Sequence, residues 1–242
     1  VELKDLAEYT DKLTAIFDRN GVKGTWYAHA SVGCLHVRPV LNMKQVGGAE
    51  TMRAIAEEAF ELVRFFGGSH SGEHGDGIVR SEFNDRMFGP VLPDLFRQVK
   101  AMFDPQGMFN PGKITDAPKM DDRELFRFAP GYEVEDFDSV LDWAAWPGAA
   151  GGFQGAVEMC NNNGACRKLS GGVMCPSYRA TRNERDAVRG RANSLRLAMS
   201  GQLGPGAMAS DAMAETMKLC VSCKACTVSY THLRAHETRE YR

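Results

Sequence analysis

"HASVGCLH", residues 29–36, places two histidines seven apart around a glycine. On one straight strand, residues an odd number apart project to opposite faces, so His29 and His36 reach a common point only if the chain bends between them. Gly33 is the natural place for the bend, because glycine accepts backbone angles that other residues resist. Bent there, the two imidazoles converge and lack only a third donor to make a metal site. Unbent, they are two half-buried rings of an ordinary kind.

The third donor is offered by "GGSHSGEHGDG", residues 67–77, which holds five glycines in eleven residues with Glu73 and His74 at its centre. A loop so rich in glycine turns sharply or passes close to something. Two neutral imidazoles and a carboxylate form a catalytic-type divalent site, with zinc the expected ion. That assignment leaves His74 over. The alternative is a polar surface turn.

The flanking sequence supplies the scaffold. Residues 2–19 read as an amphipathic helix ended by Asn20-Gly21, and "GTWYAHA" and "CLHVRPVL" read as strands. "AETMRAIAEEAFELVRFF" at 49–66 has apolar residues at helical spacing, and a third helix is expected over 91–103. Helices on one face of a small antiparallel sheet give an α+β class.

At 242 residues, 43% hydrophobic and 25% charged, the composition is that of a soluble globular protein of one or two domains. A net charge of −2 gives no reason to expect nucleic acid, and no apolar run is long enough to span a membrane. The chain reads as cytoplasmic, and its first residues as the interior of a larger protein. Residues 116–158 read as a connection, with nine acidic residues against three basic ones between 116 and 142. Phe126, Phe128, Tyr132, Phe137, Trp143 and Trp146 are too many large apolar groups for a free linker, so it is expected to pack along a surface.

Six of the seven cysteines lie between 160 and 226, in "CNNNGAC", "MCPSY" and "CVSCKAC", while Cys34 stands apart as a small hydrophobe. Disulfides are not expected in a cytoplasmic chain of this size. A Cys-x2-Cys-x2-Cys run with a distant Cys-Pro is the ferredoxin pattern, in which the Cys before Pro ligates the other motif's cluster. Cys220, Cys223, Cys226 and Cys175 then make one complete 4Fe-4S site. Cys160 and Cys166 suggest a second, but Asn163 occupies its middle ligand position. A structural zinc on four cysteines is the competing reading. Thr181-x-x-Glu184 matches a capping box and predicts a helix opening between the two motifs.

Taken in order, "HASVGCLH", "SGEHGDG" and "FDPQGMFNPGK" (103–113) resemble the C-terminal part of the FAD-linked oxidases that act on D-2-hydroxy acids, the family of D-2-hydroxyglutarate and D-lactate dehydrogenases and glycolate oxidase. The likeness runs over about residues 1–115. Residues 159–226 resemble the mostly α-helical ferredoxin-type domain fused to the larger of these oxidases. One departure is local: many relatives read Gly-Asp-Gly-Asn where this chain has Ser31, Val32, Gly33 and Cys34.

The resemblance implies His29, His36 and Glu73 as metal ligands, His74 as the base facing substrate and flavin, and Asn110 as a cofactor contact. The chemistry agrees, since oxidising a 2-hydroxy acid removes a hydroxyl proton and a hydride from one carbon. A divalent ion lowers the hydroxyl pKa, and a histidine accepts the proton near neutral pH. Arg38, two residues past His36, would share its strand face and grip the substrate carboxylate by a bidentate pair. As an edge arginine it would equally be solvated.

The implied function is that of a flavin- and iron–sulfur-dependent D-2-hydroxy-acid dehydrogenase, with FAD bound mainly by an upstream domain and electrons leaving through a 4Fe-4S cluster. The implied partners are a small 2-hydroxy acid and an electron acceptor, a quinone or a carrier protein, which would place the enzyme in the cytoplasm or peripheral to the inner membrane. Two other classes fit parts of the sequence: an electron-transfer subunit without its own dehydrogenase site, and a non-enzymatic zinc-binding module. Residues 1–242 contain no Gly-rich FAD-binding domain, so the chain alone is expected to be inactive. "TVSYTHLRAHETREYR", 227–242, resembles translated sequencing adapter and reads as a non-native tail.

Overall fold

The computed structural model describes residues 1–128, 132–134, 140–144 and 152–226. The tail 227–242, with His232 and His236, and part of the acidic connection, including Phe137 and Trp146, lie outside the described residues. The chain divides into two compact units, Val1–Gly131 and Tyr132–Arg242.

In the first unit the amphipathic stretch folds as helix α1 (Leu6–Arg19) behind a single 3-10 turn, Leu3–Asp5. Asn20 closes it, and Gly21 at φ 68° turns the chain back so that the Val22 N–H donates to the Phe17 carbonyl at 3.0 Å. Strands β1 (Gly24–His29) and β2 (Cys34–Pro39) pair antiparallel, with Tyr27 opposite His36 and His29 opposite Cys34. The bend between them is a 3-10 turn over Ala30–Val32 that ends on Gly33 at φ 67°. A Cβ on Gly33 would fall 1.9 Å from the Val1 carbonyl oxygen, so both the backbone angle and the space demand glycine.

Helix α2 (Gly48–Phe65) packs on α1, and their inward faces meet the sheet. Tyr9, Leu13, Ile16 and Phe17 of α1 and Ile55 and Val63 of α2 form the core, with Trp26, Leu35 and Val37 from one sheet face against it. Alternation along the strands therefore leaves Tyr27, His29, His36 and Arg38 on the opposite face. Truncating a fully buried leucine in such a core costs about 2–5 kcal/mol, which ties the hairpin's placement firmly to the two helices.

Helices α3 (Asn84–Phe88) and α4 (Val91–Phe103) follow the glycine-rich loop. The start of the acidic connection is pinned to this unit: Asp121 and Glu82 both pair with Arg53, Glu82 also accepts the Met120 N–H at 2.6 Å, and Arg123 donates to the Met43 carbonyl at 3.2 Å.

The second unit is helical, with α5 (Gly152–Glu158), α6 (Pro176–Thr181), α7 (Val188–Met199) and α8 (Asp211–Lys218). Helices in both units and one small antiparallel sheet make the fold α+β. The capping box is corrected. Thr181 is the last residue of α6, not an N-cap; Arg182 leaves the helix at φ 61°, and α7 opens only at Val188. The Thr181 hydroxyl has the Ser177 carbonyl at 3.1 Å and Asp186 Oδ2 at 2.7 Å as acceptors for its one proton and accepts the Asn183 N–H at 3.1 Å, so it is consumed in ending one helix. No helix among the described residues is long and apolar enough to cross a membrane.

Candidate metal centre and iron–sulfur domain

The hairpin and the glycine-rich loop bring three donors together. One ligand atom from each of His29, His36 and Glu73 lies within 4.8 Å of the other two. His36 Nε2 is 3.0 Å from Glu73 Oε1, and His29 Nε2 is 3.4 Å from Oε2. His36 is the inner ligand, its side chain 13% exposed against 58% for His29. Its Nε2 is buried and makes no hydrogen bond, although Glu73 Oε1 is 3.0 Å away. A buried imidazole nitrogen that makes no hydrogen bond, beside a carboxylate and a second imidazole, fits a divalent ion.

His74 reaches the same carboxylate, with Nε2 2.8 Å from Glu73 Oε1, yet it stands outside the mutual set of three and its side chain is 65% exposed. Its ring centroid is 5.4 Å from that of His36. His36, Glu73 and His74 open on a cavity of about 630 Å³ that Arg38 and Arg80 also line.

Two features beside the site residues were missed in the sequence. His70 is packed against Phe60, Phe83 and Phe88, and its Nε2 lies 3.2 Å from Asp76 Oδ1. Burial pushes its pKa down, the nearby Asp76 carboxylate working the other way. His70 and Asp76 flank Glu73 and His74 in sequence, and the pair lies side by side without a hydrogen bond from His70 Nε2. Gly72 lets the loop sit on the hairpin, since a Cβ there would be 2.7 Å from Cys34 Sγ. The second feature is Tyr27, whose ring stacks on His36 at 4.6 Å and 13°. Its place two residues before His29 on one strand was the available signal.

Arg38 is on the His36 face, but its guanidinium lies 4.9 Å over the Tyr27 ring and donates to the Tyr27 hydroxyl. Asn110 is exposed at φ 48° in the turn after α4, where its carbonyl accepts the Lys113 N–H at 3.3 Å. Ile114 N–H donates to the Gly77 carbonyl at 3.0 Å, tying that turn to the end of the loop.

In the second unit all six cysteines are free thiols. Cys160, Cys166 and Cys175 are buried, Cys220 and Cys223 exposed, and Cys226 half-buried. The Cys175 N–H donates to the Cys166 carbonyl at 3.1 Å, which places the Cys-Pro cysteine beside the first motif. Burial pushes the Cys166 thiol up, opposed by the backbone N–H of Arg189 at the start of α7. Asn162 and Gly164 in one motif, and Ser222 and Lys224 in the other, take left-handed backbone angles of 50–74°. Alternating left-handed residues turn successive N–H groups inward, the arrangement that cradles iron–sulfur clusters. Sulfur-only donors on such loops fit a 4Fe-4S cluster.

Comparison with known proteins gives two families. Residues 1–114 match the FAD linked oxidases, C-terminal domain, and residues 156–229 the 4Fe-4S dicluster domain. D-2-hydroxyglutarate dehydrogenase of Pseudomonas putida is 35% identical over 195 residues, covering 80% of this chain and 18% of that protein. The Escherichia coli protein of the same name is 34% identical over 197 residues, again 18% of its length. D-lactate dehydrogenase of Archaeoglobus fulgidus is 31% identical over 109 residues, 45% of this chain and 24% of that protein. The chain thus spans about a fifth of the relatives it matches over most of its own length. No solved structure matches significantly. Residues 1–114 therefore belong to the C-terminal domain family of the FAD-linked oxidases, joined in one chain to a 4Fe-4S dicluster domain over 156–229.

Proposed function

We propose that this chain carries the proton-abstracting site and the one-electron relay of a flavin-dependent D-2-hydroxy-acid dehydrogenase. The observation that carries the reading is the convergence of His29, His36 and Glu73 within 4.8 Å, with His74 touching Glu73 but standing outside the set. His29, His36 and Glu73 would hold a divalent ion, zinc by donor type, which supplies Lewis acidity toward a 2-hydroxy carboxylate. FAD, when bound, would supply the acceptor for the C2 hydride, and Cys175, Cys220, Cys223 and Cys226 would hold a 4Fe-4S cluster that supplies one-electron chemistry. Cys160 and Cys166 would belong to a second cluster.

Within that frame each side chain has one task. His74 takes the hydroxyl proton, its exposure leaving the ring open to substrate and its contact with Glu73 orienting it. Tyr27 holds the His36 ring by stacking. Arg38 offers a guanidinium on the same face for the substrate carboxylate, with Tyr27 beneath it keeping the fork in place. Asn110 sits in the turn tied to the loop and would face the cofactor. Free cysteines without a disulfide suit a reducing compartment.

The relatives named D-2-hydroxyglutarate and D-lactate dehydrogenase favour those two substrates. The test is dye reduction by each acid in the FAD-containing full-length protein before and after a chelator. Loss of activity with the chelator and its return with added zinc or manganese is expected. Undiminished turnover in metal-free protein would refute the site. For the second unit, anaerobically purified chain is expected to be brown with about four irons per cluster. A colourless chain with stoichiometric zinc would favour the four-cysteine structural reading.

A further inference from the structure

Arg191 lies in the first turn of α7 and is 7% exposed. A guanidinium stays charged at any physiological pH, and a buried charge is costly unless an anion compensates it. Its hydrogen bonds go to neutral acceptors: Nε donates to the Thr216 carbonyl at 3.1 Å, and Nη2 to the Ser177 hydroxyl at 3.1 Å. The remaining group, Nη1, is 3.8 Å from Cys175 Sγ. Among the described residues no carboxylate comes within 4.0 Å of Arg191. The nearby Asp186 side chain is turned to Thr181 and Arg185 instead. Arg189 offers the contrast, since it is paired with Glu184 at 2.7 Å.

The local build serves this placement. Gly190, between the two arginines, would put a Cβ 2.1 Å from the Glu184 carbonyl oxygen, so glycine lets α7 open hard against the 184–186 turn. Ser177, which receives Arg191, is itself fixed by donating to the Asp186 carbonyl at 2.6 Å. Thr216 belongs to α8, which leads directly into Cys220. Arg191 thus joins Cys175 to the helix that delivers the Cys-x2-Cys-x2-Cys run.

We propose that Arg191 supplies the buried counter-charge to the iron–sulfur cluster held through Cys175 and raises that cluster's reduction potential. The inference rests on the cluster assignment above. A cubane on four thiolates is anionic, and reduction adds one electron to it. A fixed positive charge against a ligating sulfur therefore stabilises the reduced form more than the oxidised form. Arg191 is a positioning residue in this sense, acting through Cys175 and not on substrate.

The experiment is a redox titration followed by electron paramagnetic resonance, with iron and sulfide analysis, on the anaerobically purified chain and its Arg191→Met, Arg191→Lys and Arg189→Met variants. With iron content kept, Arg191→Met is expected to lower the reduced-to-oxidised ratio at fixed potential about tenfold, equivalent to about 59 mV for a one-electron couple. Arg191→Lys and Arg189→Met should shift it much less. An unchanged midpoint in Arg191→Met with full iron overturns the proposal. If Arg191→Met loses its iron, Arg191→Lys decides: retention of iron there supports the counter-charge, and equal loss in both overturns it in favour of a packing role. Absence of iron from the wild-type chain would overturn the cluster assignment itself, and the counter-charge with it.

Discussion

Replacing His74 by alanine is expected to lower turnover of the D-2-hydroxy acid by at least about a hundredfold, the usual contribution of a positioned general base, while bound metal and flavin stay unchanged. The expectation follows from geometry. His74 meets the Glu73 carboxylate at 2.8 Å but contributes no atom to the mutual set formed by His29, His36 and Glu73. Its side chain is also the most exposed of the four, so its removal leaves no buried group without a partner. Steady-state kinetics and elemental analysis of full-length His74→Ala check it together. Metal lost along with activity would make His74 a ligand, and near-normal turnover would remove it from proton transfer.

Much of this arrangement is readable from local sequence. Two strands flanking a glycine allow His29 and His36 to converge if the chain bends there, and Gly33 with its left-handed backbone does end the turn between them. The helices over 6–19 and 48–65 follow from apolar spacing, because each buries one stripe and ends at a recognisable stop, whereas the helix over 91–103 has the spacing but leaves Val91, Leu95, Val99 and Met102 exposed. What stayed hidden depends on distant residues. His70 resembles any loop histidine until Phe60, Phe83 and Phe88 enclose it beside Asp76 within the glycine-rich loop. Arg191 is one of six arginines between 179 and 196, and its burial comes from contacts with α6 and α8. Thr181 misled for the opposite reason. Its spacing to Glu184 is right for a capping box, but the left-handed Arg182 breaks the chain where a helix would have to begin.

The second large effect concerns Glu73, which faces three imidazoles at 2.8, 3.0 and 3.4 Å. Glutamine keeps the shape of this side chain but removes its negative charge and replaces one acceptor oxygen with a donor. Divalent-ion affinity is expected to fall by at least the roughly ten- to hundredfold seen for the loss of outer-shell partners, because here a direct ligand is altered. The hairpin core of Leu13, Phe17, Ile55 and Val63 does not touch the change, so the variant should unfold at the wild-type denaturant concentration.

Zinc titration of the metal-free chain, wild type beside Glu73→Gln, therefore tests the central claim most directly. The site described here predicts one high-affinity zinc in the first unit that is weakened at least tenfold in the variant, with folding stability unchanged. Equal affinity in both proteins, or no zinc bound by the wild type outside its cysteines, would contradict a metal centre built on His29, His36 and Glu73.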